Sequence, residues 1–142
     1  MSSEPRPDTT RLQRMARAYT ETAVLWAALD LGVFTAVAEG AIDEDAVATS
    51  CRISQLDAGR LVVCCLTLDL LRSEGGKLVN PPDVARYLVK GEQSYAGPWM
   101  TFTRRDVPDW FLISELMTDG PEPTLLGMYG DLTVERARNY HN

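Results

Sequence analysis

Apolar residues recur at steps of three and four near the start of the chain. Leu12, Met15, Ala16, Tyr19, Ala23, Trp26 and Ala27 form one stripe, and Leu25 and Leu29 a second beside it. This spacing predicts a helix that becomes apolar on more than one side over its second half. Thr9 or Thr10 stands where its cap belongs. The pattern leaves two readings open, a central core helix or a helix with one face covered by a partner. Gly32 suits the end of this helix, Val33-Phe34 restart an apolar turn, and Gly40 closes it. Asp43 caps a further helix to Cys51, with Glu44 and Asp45 well placed against its N-terminal dipole. After a turn at Ile53-Ser54, Ser54 caps a long helix over residues 55–71. It is apolar nearly all round and is therefore expected to be buried.

Two short extended pieces flank Gly75-Gly76 and predict a β-hairpin. Pro81-Pro82 opens a helix over residues 83–89. Short helices are expected over residues 99–105 and from Pro108 through Met117. Gly120-Pro121 ends the second, Gly127 and Gly130 mark a loop, and a last helix begins at Thr133. Residues 1–9, with Pro5 and Pro7, read as a flexible tail. The fold class is mainly α, a winged-helix-like helical domain with a small β-hairpin wing.

Composition narrows what such a domain does. The 142 residues are 45% hydrophobic and 24% charged, which is ordinary globular composition. Twenty acidic side chains face 14 basic ones, for a net charge of −6. That balance is wrong for a protein held on phosphates. The long helix offers only Gln55, Asp57 and Arg60 in its first half, too little for base readout, and no nucleic-acid partner is expected. No apolar run reaches the ~20 residues of a membrane span, and the N-terminus lacks the apolar core of a secretory signal. Cys51, Cys64 and Cys65 make no disulfide framework, so reduced thiols and a cytoplasmic location are expected.

Catalytic and ligand chemistry is sparse. The cysteines and His141 lack metal-ligand spacing, and no metal is expected. No G-x-S-x-G surrounds a serine, and His141 is the sole histidine. The carboxylate pairs Glu44/Asp45 and Asp106/Asp109 sit where helix starts attract negative charge. Gly75-Gly76 runs into Lys-Leu-Val rather than a helix, so it is no nucleotide loop. Arg11, Arg14 and Arg17 form a basic row on the first helix, which reads as a solvated face or a contact for an acidic partner.

Taken in order, the segments resemble the N-terminal dimerisation domain of small-molecule class I S-adenosylmethionine-dependent O-methyltransferases. The run Leu25-Trp26-Ala27-Ala28-Leu29-Asp30-Leu31-Gly32-Val33-Phe34 looks like the family's A-x-x-L-G-L-F signature. Leu61 through Leu71 followed by Gly75-Gly76-Lys77-Leu78-Val79-Asn80 resembles its helix and wing. Tyr87-Leu88-Val89 with Ser94-Tyr95-Ala96-Gly97 is similar to the next helix and loop, and Asp109-Trp110-Phe111 with Asp119-Gly120-Pro121 to the stretch before the catalytic domain.

The resemblance implies an intertwined dimer over residues 10–105, with residues 106–142 a helical linker and substrate-lid segment leading into a methyltransferase domain that is not present. It implies interface residues Met15, Tyr19, Leu25, Trp26, Leu29 and Phe34, and pocket residues Met100, Trp110, Phe111, Tyr140 and His141. It implies a homodimer, or a heterodimer with a catalytic chain, and a small hydroxylated or aromatic acceptor. No catalytic or cofactor-binding residue is expected in this chain, and S-adenosylmethionine enters only through a separate catalytic domain. The chain is expected to be non-catalytic by itself, whether truncated, split or stand-alone. The alternative is a winged-helix regulator or small-ligand-binding protein that reuses the fold.

Overall fold

The computed structural model describes residues 3–119. Residues 3–8 hold no regular structure. Helix α1 is Thr10–Arg17 and α2 is Tyr19–Leu31. The single expected helix is divided at Ala18, whose N–H reaches back only three residues to the Met15 carbonyl at 3.4 Å. Thr9 holds the cap position, but its hydroxyl accepts from the Gln13 side-chain amide at 2.7 Å and from no backbone N–H of the first turn. Asp8 instead accepts from the Thr10 N–H at 3.0 Å, which corrects the expected threonine cap. Gly32 closes α2 with φ 75°, a left-handed conformation open to a residue without Cβ.

Three further helices build the centre: α3 (Val33–Ala38), α4 (Glu44–Cys51) and α5 (Gln55–Thr67). Asp43 accepts from the Ala46 N–H at 2.8 Å and Ser54 from the Asp57 N–H at 3.0 Å, so both expected caps form. The C-terminal ends share one solution. Gly40, Arg52 and Asp69 each take positive φ, and the next residue's N–H bonds the carbonyl five positions back: Ala41 to Ala36, Ile53 to Ala48 and Leu70 to Cys65. This is the Schellman closure. At Asp69 it stops α5 four residues short of the expected end.

Strands β1 (Arg72–Glu74) and β2 (Lys77–Val79) pair antiparallel, Ser73 opposite Leu78. Gly75 and Gly76 turn between them with φ 57° and 76°, the two positive values a type I′ turn requires. The wing is tied to the body by the Leu78 N–H on the Ile42 carbonyl and by the Asn80 amide on the Phe34 carbonyl, both 2.9 Å. Helix α6 (Pro82–Tyr87) follows, then α7 (Gly97–Thr101).

The core gathers Ala28, Leu29, Val33, Phe34, Val37, Val47, Ala58, Val62, Cys65, Leu71, Leu78, Val84 and Leu88. The chain divides into two compact units after Phe102. The second contains a 3₁₀ turn (Arg104–Asp106), α8 (Val107–Trp110) and α9 (Ile113–Asp119). The expected loop at Gly127 and Gly130 and the last helix lie outside the described residues.

Candidate functional site

Helix α1 has no buried residue. Its apolar residues stand in solvent, Leu12 56% and Met15 65% exposed, and Tyr19 at the start of α2 is similarly open. The Arg11 guanidinium lies beside Met15, donating to its sulfur at 3.7 Å. Of the six expected interface residues, Met15 and Tyr19 thus present surface. Leu25 and Trp26 are half-buried, and Trp26 is committed within its own unit: its indole Nε1–H donates to the Met100 carbonyl at 2.8 Å. Leu29 and Phe34 are inside the chain's own core, which leaves them little surface to offer.

Helix α5 departs from its expected burial. Its inner face is small and closed: Ala58, Val62 and Cys65 are buried, which lets α2 and α4 approach. Its outer face carries Leu56, 64% exposed, Val63, 56% exposed, and the edge of Leu66. Arg60 and Thr67 lie on that face at helical steps from Leu56 and Val63, the signal that could have marked it as outward. An open groove of about 570 Å³ runs along it, lined by Glu44, Leu56, Gly59, Arg60, Val63 and Cys64. Gly59 lies beneath the Glu44 carboxylate in this surface. A Cβ placed there would meet only the Glu44 carboxylate, at 3.0 Å.

The expected pocket residues are spread over both units. In the first, Met100 lies at the exposure border on α7, and Trp99 stacks on Phe102 with ring centres 5.8 Å apart. A shallow cavity of about 360 Å³ opens nearby between Asp30, Lys90, Tyr95 and Thr101. In the second, Trp110 and Phe111 are both largely exposed. Tyr140 and His141 lie outside the described residues.

Reactive chemistry is muted. Burial pushes the Cys65 thiol up to about 12, helped by neighbouring Cys64, so it is a core side chain rather than a nucleophile. Cys51 is raised in the same direction by burial. The Arg72 guanidinium grips Asp69 at 2.9 and 3.0 Å and holds its carboxyl below the usual range. Arg60 reaches Asp57 at 3.6 Å. Arg60 on the helix and Arg72 on the wing are thus each paired with an acid. Among the described residues no cluster of His, Cys, Asp and Glu could hold a metal ion. No described helix is long and apolar enough to cross a membrane.

No protein-family model matches the sequence. Among characterised relatives, a 3-hydroxy-5-methyl-1-naphthoate 3-O-methyltransferase of Streptomyces sahachiroi is 32% identical over 114 residues, covering 79% of this chain and 33% of the relative. The N,N-dimethyltransferase OxyT of Streptomyces rimosus is 29% identical over 86 residues, covering 61% and 25%. The solved structure of human N-acetylserotonin methyltransferase in complex with S-adenosylmethionine superposes with a TM-score of 0.71 at 26% identity, over 100% of this chain and 43% of that one. The chain is thus a relative of the class I O-methyltransferases, matched over part of their length. It spans a quarter to a third of the curated relatives it matches.

Among the described residues the only strands form the Arg72–Val79 hairpin, whose two glycines turn back into a strand instead of opening a helix.

Proposed function

We propose that this stretch is the dimerisation and substrate-covering module of a small-molecule, S-adenosylmethionine-dependent O-methyltransferase, with methyl transfer belonging to a catalytic domain outside it. The observation that carries the reading is α1, a helix with no buried residue whose Leu12 and Met15 stand largely in solvent. Burying a side chain such as Leu12 or Met15 contributes ~1.5–3 kcal/mol. In a symmetric pair each such residue counts twice, which brings the sum to the scale of the ~4–15 kcal/mol association cost. The covering role is supported by the exposed aromatic pair Trp110 and Phe111, suited to a flat acceptor. The paired states of Arg60 and Arg72 speak against a DNA reader.

Sedimentation velocity on the 142-residue chain tests the reading. A dimer is expected at micromolar concentration, and a double Leu12→Asp, Met15→Asp variant is expected to be a folded monomer. A wild-type monomer at 100 µM would overturn the dimerisation role. Calorimetric titration with S-adenosylmethionine is expected to show no heat of binding, and saturable binding would overturn the non-catalytic part.

A further inference from the structure

The stretch between α6 and α7 carries polar groups that neither the dimer nor the covering role uses. Its backbone is tied down at both ends. Leu88 and Val89 are buried, and the Lys90 N–H donates to the Thr35 hydroxyl at 3.1 Å. The Tyr95 N–H reaches the Glu92 carbonyl at 3.1 Å, and the Ala96 N–H the Tyr87 carbonyl at 2.7 Å. Gly91 turns the chain between them with φ 96°. Gly97 is buried at the start of α7, and the Tyr95 ring lies directly against it. A Cβ at this position would collide with the ring and with its hydroxyl. The glycine thus fixes where the phenol lies.

This packing forms one wall of the cavity of about 360 Å³ between the end of α2 and the start of α7. Small-molecule sites run ~300–1,000 Å³, so there is room for a single ring and its substituent. Leu29, Gly97 and Pro98 supply apolar lining, and Asp30, Lys90, Tyr95 and Thr101 the polar groups. The Thr101 hydroxyl also meets Gly97, donating to its carbonyl at 3.3 Å, so two hydroxyls converge on one residue. Asp30 is already engaged in an interaction of its own. Among the described residues the Lys90 ammonium has no ion pair and the Tyr95 hydroxyl no hydrogen bond. The groups left for a ligand are therefore an ammonium and a phenol, both of which donate.

We infer that this cavity binds a small aromatic monocarboxylate. Its carboxylate takes the Lys90 ammonium and the Tyr95 hydroxyl, two charge-assisted hydrogen bonds, while its ring lies on the apolar lining. Asp30 in the same lining repels a second negative charge and so restricts the site to a monoanion. The inference goes beyond the dimerisation and covering reading and does not depend on it. Every lining residue belongs to the first compact unit, so binding needs neither a second copy nor the methyl donor.

Titration of the isotope-labelled 142-residue chain with benzoate, followed by amide NMR shifts, tests the site. Saturable shifts are expected at Asp30, Lys90, Tyr95, Gly97 and Thr101. Benzamide, which keeps the ring and loses the charge, is expected to bind about tenfold more weakly, and benzylamine more weakly still. Lys90→Met is expected to weaken benzoate binding about tenfold and leave the melting temperature unchanged, because the Lys90 side chain is exposed. Tyr95→Phe keeps the ring against Gly97, removes the donor and is expected to weaken binding about fivefold. No saturable shift at millimolar benzoate, shifts that map elsewhere, or affinity that Lys90→Met leaves unchanged would each overturn the site. Tighter binding of benzylamine than of benzoate would overturn the assigned ligand charge. Each of these results can occur whether the chain is a monomer or a dimer, so the dimerisation reading stands or falls separately.

Discussion

Helices α1 and α2 follow each other with only Ala18 between them, yet they live in different surroundings. Helix α1 has the cleaner separation of apolar and polar faces and buries nothing. Helix α2 is apolar on most sides, with little amphipathic contrast, and packs on α3, α5 and α7. Amphipathy states which face of a helix avoids water; it does not state what covers that face. A helix apolar all round finds a neighbour wherever it lies in the fold. A sharply two-sided helix at the end of a chain leaves its stripe open until something arrives. The same holds within α5, whose inner face is closed by small residues while Leu56 and Val63 stay outside.

The contrast can be broken most forcefully at Phe34, the largest of the fully buried side chains. Phe34→Ala is expected to cost ~3–5 kcal/mol in urea unfolding. Met15→Ala, measured where the chain is monomeric, is expected to stay within about 0.5 kcal/mol of wild type. Equal losses would show that α1 packs on its own core after all. At the junction, Trp26→Phe keeps a ring and removes the indole donor to Met100. A loss of ~1 kcal/mol is expected, with no change in oligomeric state. A polar replacement of Trp26 would damage the α2–α7 contact as well as any interface, so the ring-conserving change is the cleaner probe.

Smaller effects sharpen the picture at the helix ends. Ser54→Ala removes the α5 cap and is expected to cost ~1 kcal/mol in the same unfolding assay. Arg52→Gly relieves a side chain held at φ 57° and is expected to stabilise by ~0.5–1 kcal/mol. The last effect is alkaline. The Cys65 thiol is raised from 9.0 to about 12 in the folded chain, so the folded state holds its proton longer than the unfolded state does. Its contribution to stability is complete below pH 9 and is lost as pH rises from 9 toward 12. Melting curves from pH 8 to 11 should fall more steeply for wild type than for Cys65→Ala; parallel curves would remove the thiol from that account.

Most of what was legible in the sequence is local. The caps at Asp43 and Ser54, the left-handed end at Gly32 and the two-glycine hairpin form as their residues suggest, since each depends on contacts within a few positions. The end of α5 was not legible. Leu70 and Leu71 continue its apolar run, but Asp69 takes φ 55° and both their N–H groups turn back to the Cys65 carbonyl. Asp tolerates this conformation without announcing it as glycine does. The candidate faces were half legible. Periodicity marks the α1 stripe, while the outward side of α5 was masked by its many apolar residues.

The sequence by itself therefore determined the helical succession, the wing and its turn, and the likeness to O-methyltransferases, because spacing, caps and turn residues act over short distances. Only the tertiary structure decided which apolar faces close on one another. Trp26, Leu29 and Phe34 go to the body of the chain, and Leu12, Met15, Leu56 and Val63 are left outside. Burial is a property of two surfaces meeting, and a one-dimensional pattern contains only one of them at a time.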